Sequence, residues 1–97
     1  MHNMIYLIGR PTEINVKDGS MILRVQRTYK NEEGVYENDF IKCKTSSLIY
    51  TNILDDIYIE DLIGIKGRLQ VYDNVPIVVI DRLSYLCSKK EHLENEN

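Results

Sequence analysis

Apolar and polar positions alternate with a period of two along most of the chain, the pattern of strands with one buried face. In MILRVQRTY, Met21, Leu23 and Val25 share a face. In YENDFIKCKT, Ile41, Cys43 and Thr45 share one face, while Tyr36, Asn38, Phe40, Lys42 and Lys44 share the other. Between them lies Lys30-Asn31-Glu32-Glu33-Gly34, a polar turn whose glycine can take positive φ. Residues 21–45 therefore read as one long β-hairpin.

Upstream, NMIYLIGR is apolar on both faces, with Met4, Tyr6 and Ile8 on one and Ile5 and Leu7 on the other. Only one face can look into a small core, so either set has to be covered by another element or a second subunit. Met4, Tyr6 and Ile8 are the candidate subunit interface. Gly9 permits a bend, and Pro11 is expected to end regular pairing. Residues 12–19 alternate through Ile14 and Val16 as a short strand or ordered loop, and Asp18-Gly19 turns into the hairpin.

Downstream the period changes. Ile49, Ile53 and Ile57 recur at i, i+4 and i+8 behind Ser46 and Ser47, which predicts a helix over 47–57. The chain contains no alanine and this segment is rich in β-branched residues, so packing has to hold that helix. Tyr50 and Tyr58 are read as packing around it. LIGIKGRLQVY returns to strand character, with Ile63, Ile65, Leu69 and Val71 inward and Lys66, Arg68, Gln70 and Tyr72 outward. Gly64 and Gly67 mark bends or close backbone approach. Asp73-Asn74 is a tight turn, and the run after Pro76 is a closing strand that continues to Cys87. The expected fold is all-β with one helix. It is a five-stranded oligonucleotide/oligosaccharide-binding (OB) barrel over residues 1–88, with the helix between strands 3 and 4. Residues 89–97 form a charged tail with nothing to bury, read as disordered.

Composition agrees with one globular domain: 97 residues, 43% hydrophobic and 28% charged. No apolar run approaches the roughly 20 residues that cross a bilayer, which points to the cytoplasm and to no membrane partner. Cys43 and Cys87 are read as reduced thiols, and His2 and His92 have no metal-ligand spacing with them. No metal and no cofactor is expected. No nucleophile–base pair, phosphate loop or paired carboxylates appear, so neither catalysis nor a small-molecule substrate is indicated.

The formal net charge of −3 does not announce a nucleic-acid ligand, but charge placement outweighs the sum. Acidic residues gather at Asp55, Asp56, Glu60 and Asp61 and again at Glu91, Glu94 and Glu96. Basic ones gather on the hairpin (Arg24, Arg27, Lys30, Lys42, Lys44) and at Lys66 and Arg68. A strand face that carries aromatics and cations together suits bases stacked on rings with phosphates at ammonium groups. It suits equally a hairpin whose outer aromatics cover a neighbouring element.

Three blocks resemble the bacterial single-stranded DNA-binding protein family, in order and at matching spacings across 3–86. They are NMIYLIGR, Asp39-Phe40-Ile41-Lys42-Cys43, and Leu62-Ile63-Gly64-Ile65-Lys66-Gly67-Arg68-Leu69-Gln70. The resemblance implies sequence-tolerant binding of single-stranded DNA. It implies stacking on Phe40 and Tyr29 and, more approximately, on Tyr72. It also implies phosphate contacts from Arg27, Lys30, Lys42 and Lys66, with Lys44 and Arg68 on the same candidate strand faces, and a homo-tetramer or, failing that, a dimer. Departures accompany it: Ser46 stands where the family has another aromatic, the β4–β5 turn is short, and Glu91–Asn97 lacks a Pro-Phe ending. An OB module that binds protein, such as a primosome component, is the alternative reading.

Overall fold

The structure, a computed structural model, describes residues 3–45 and 54–87. Five strands carry the fold: β1 (Ile5–Asn15), β2 (Ser20–Lys30), β3 (Tyr36–Thr45), β4 (Leu62–Tyr72) and β5 (Val75–Cys87). They close into a barrel in the order β1-β2-β3-β5-β4, the OB arrangement expected from the pattern. Closure depends on β1 belonging to two ladders. Its first half, Ile5 to Gly9, pairs antiparallel with Gly67 to Ile63, and its second half, Arg10 to Asn15, pairs with Arg24 to Ser20.

Pro11 stands where β1 changes partner, and the expectation that it ends pairing is corrected. It lies opposite Leu23, and the register shifts immediately after it, leaving Thr12 as an extra residue. A proline has no N–H to donate, and a bulge at a partner switch is where that loss is tolerated. The Pro11 carbonyl still accepts, taking the N–H of Glu60 at 2.9 Å. Residues 12–15 are thus the second half of β1, not a separate strand.

Two glycines are required by close approach. A Cβ on Gly9 would lie 2.4 Å from the Arg24 carbonyl oxygen, and one on Gly67 would lie 2.2 Å from that of Val79. Inside the barrel, Met21, Leu23, Cys43, Ile63, Ile65, Val78 and Ile80 form the core, and Leu54 and Ile57 from the β3–β4 connection belong to the same buried cluster. Each such aliphatic side chain contributes about 1.5–3 kcal/mol on burial.

Most of the helix expected over 47–57, with Ser46, Ser47 and Tyr50, lies outside the described residues, as does the tail over 89–97. The described end of that helix is corrected: Leu54 to Asp56 form a single 3₁₀ turn. The Ile57 N–H returns to the Leu54 carbonyl at 3.4 Å, and the next N–H, on Tyr58, goes to the Asp61 carboxylate at 2.9 Å. A side-chain acceptor at that position competes with helix continuation, and weak propensity in this segment offers little resistance.

The β4–β5 hairpin outruns the barrel. Its turn is the expected tight one, with positive φ at both Asp73 (49°) and Asn74 (67°), the signature of type I′. Pairing of β4 with β1 begins at Gly67, and pairing of β5 with β3 begins at Val78. Residues 69–77 therefore have mainly each other. Leu69 and Val71, expected inward, are exposed, Val71 by 63%. Their alternation is right, but no interior remains at that height. The Asn3 side chain partly replaces the missing strand, donating to the Leu69 carbonyl at 2.6 Å and accepting its N–H at 3.1 Å.

Candidate nucleic-acid interface

On the β2–β3 wall the alternation of β3 is realised as read. Cys43 and Thr45 are buried, Ile41 packs against the core, and Phe40, Lys42 and Lys44 face out. Phe40 is 64% exposed and lies directly opposite Arg24; Lys42 lies opposite Ile22, and Lys44 opposite Ser20. The Lys44 ammonium sits 5.2 Å from the centre of the Tyr72 ring, a cation–π distance that brings the β4–β5 hairpin onto the same surface. The Tyr72 hydroxyl in turn donates to Gln70. An exposed ring, three cations and a second aromatic thus share one face.

Where the hairpin leaves the barrel its register slips, with four steps along β2 from Gln26 to Lys30 against two along β3 from Asn38 to Tyr36. The slip releases Tyr29, which is 64% exposed although alternation alone puts it in phase with Val25. Lys30 lies opposite Tyr36 with its ammonium 5.5 Å from that ring. Arg27 is differently placed. Its guanidinium grips Asp39 through two hydrogen bonds, at 2.9 and 3.0 Å, and reaches Glu37 at 3.4 Å. The hydrogen bond and charge of Arg27 hold the Asp39 carboxyl below the usual carboxylate range, and Asp39 raises the arginine further. Arg27 therefore adds little uncompensated positive field.

The remaining candidates separate from this surface. Lys66 lies opposite Tyr6 on the β1–β4 wall, its ammonium 5.9 Å from the ring centre. Met4, Tyr6 (68%) and Ile8 are exposed there, whereas Ile5 and Leu7 pack against the core. Tyr6, Ile8, Lys66, Arg82 and Leu86 are among the residues lining a cleft of about 320 Å³ on that wall. Arg68 is ion-paired with Asp81 on β5.

Sequence reasoning did not single out the groove between the two walls, about 440 Å³ and lined by residues including Ile8, Arg10, Arg24, Gln26 and Asn38. Arg24 donates to both carboxylate oxygens of Glu60, at 2.9 and 2.6 Å, and Arg10 donates to the Glu60 carbonyl at 2.6 Å. Hairpin register already set Arg24 beside Phe40. Nothing local in the sequence brings Glu60, 36 residues away, to meet it. Among the described residues no group of three or more His, Cys, Asp or Glu could hold a metal ion. Burial pushes the Cys43 thiol up to about 12.

No family model matches the chain. The barrel is similar to the crystal structure of a mitochondrial single-stranded DNA-binding protein from S. cerevisiae, with a TM-score of 0.71 at 11% identity. That match covers 91% of this chain and 99% of that one. In sequence, the chain is 29% identical over its full length to single-stranded DNA-binding protein 1 of Staphylococcus aureus (strain COL), of which it spans 64%. It is 32% identical to single-stranded DNA-binding protein 2 of the same strain, over 95% of this chain and 78% of that one. With that identity sustained across nearly the whole barrel, the chain belongs to the single-stranded DNA-binding protein family.

Proposed function

We propose that the chain binds single-stranded DNA, as the names of its relatives say of them, and that it does so with little regard for sequence. The observation that carries this reading is Phe40: a large ring, mostly exposed, with lysines on its own strand face and an arginine opposite. Every base has a π-face, so stacking on Phe40, and on Tyr72 and Tyr29 along the path, is indifferent to base identity. Lys30, Lys42 and Lys44 meet the phosphates, and Arg27 and Arg68, tied to carboxylates, contribute less. Lys66 belongs with the β1 face. That face, Met4, Tyr6 and Ile8, is covered by a second copy of the chain, in a tetramer built from dimers or in a dimer. Coating exposed strands during replication, recombination or repair follows from such binding.

Fluorescence anisotropy with labelled oligo-dT tests the reading. Binding is expected at micromolar protein and low salt, weakening with a log–log slope of about −2, roughly −0.7 for each of three lysine–phosphate contacts. No binding of a ~35-mer at about 20 mM salt, where such affinities are strongest, would overturn it.

A further inference from the structure

Glu60 is the third residue of a turn closed by the Asp61 N–H on the Tyr58 carbonyl at 3.1 Å, a position that takes a positive φ but does not call for a carboxylate. It is a non-glycine residue at φ 73°, a left-handed conformation that side chains avoid. Its backbone N–H and carbonyl are fixed by Pro11 and Arg10, and its carboxylate takes the two-pronged fork of Arg24. That fork is the geometry by which arginine also grips a phosphodiester. Arg24 lies opposite Phe40, so a nucleotide stacked on the ring carries its phosphate to the mouth of the same groove.

We propose that Arg10 and Arg24 form a phosphodiester seat in this groove, and that Glu60 is its built-in competitor. The proposal rests on the single-stranded DNA reading. With Glu60 in place, the charge of Arg24 is compensated, and an entering phosphate has to exchange with a carboxylate already in position. The exchange lowers affinity and keeps the bound strand easy to release. Side-chain exposure of 32% for Arg24 and 24% for Glu60 leaves the pair open to that competition.

The test is an oligo-dT anisotropy titration across a salt series with wild type, E60Q, the double variant R24Q/E60Q, and D56N as a control for net charge. E60Q is expected to bind about three- to tenfold tighter at low salt, with a log–log slope steeper by about 0.7, one phosphate contact. The double variant restores the wild-type charge balance and is expected to return to within about twofold of wild type. A gain no larger than that of D56N, or one that persists in R24Q/E60Q, overturns the proposal while leaving DNA binding intact. No binding by any variant overturns both readings. If E60Q fails to fold by its melting curve, Glu60→Gly, which suits the positive φ, carries the same test.

Discussion

Phe40 on the β2–β3 wall and Tyr6 on the β1–β4 wall are both exposed and flanked along their strands, yet the company they keep differs. Phe40 is followed on its face by Lys42 and Lys44 and faced by Arg24. Tyr6 is flanked by Met4 and Ile8, and the cation opposite, Lys66, is laid over its ring. The first arrangement leaves charge and an open π-face for a polyanion that stacks. The second sets Met4 and Ile8 beside the ring, an exposed apolar strip that suits a protein surface. An exposed aromatic is ambiguous by itself; its alternate-position neighbours decide what it is for.

The largest effect should come from breaking the β1 wall. Ile8→Glu sets a carboxylate in the strip, and if a second copy covers it, association weakens by about 3–5 kcal/mol, the cost of an uncompensated buried charge. Light scattering should then report the monomer mass for the variant and a multiple of it for wild type. A wild-type monomer at tens of micromolar would remove the protein-facing role from this wall.

A smaller effect contrasts the two faces of β3. Cys43, between Lys42 and Lys44, is fully buried, and its thiol is pushed up to about 12 from 9.0. The folded chain keeps this proton to higher pH than the unfolded chain, so stability falls as pH rises above 9.0. Denaturant titrations should show wild type losing up to about 1.4 kcal/mol per pH unit more than Cys43→Ala between those two values. Parallel slopes would mean that the inner face of β3 is wet. Smaller still, Tyr29→Ala should weaken oligo-dT binding about fivefold, near the low end of stacking energies, because the register slip frees the ring but sets it apart from Phe40. Unchanged affinity would confine the binding face to the barrel.

What was legible in the sequence follows from how local its cause is. Alternation in β3 separates Phe40 from Cys43 correctly because a strand's two faces are fixed by neighbouring residues. The same rule places Leu69 and Val71 on the inward side but cannot say that the barrel ends at Gly67, since that depends on where β1 and β3 stop pairing. Lys66 looks like a partner of Lys42 until closure sets β4 beside β1 and the lysine over Tyr6. The ties of Arg27 to Asp39 and of Arg24 to Glu60 escaped notice in different degrees. The first follows from hairpin register and could have been found. The second joins residues that only the closed barrel brings together.

The most direct measurement is oligo-dT affinity and melting temperature on the same Phe40→Ala protein. Loss of one stacking platform at about 1–3 kcal/mol predicts roughly 5- to 150-fold weaker binding, with a melting temperature within a few degrees of wild type. A protein that melts far lower, as loss of about 3–5 kcal/mol from a core phenylalanine would produce, while binding DNA normally, would contradict the assignment of this face.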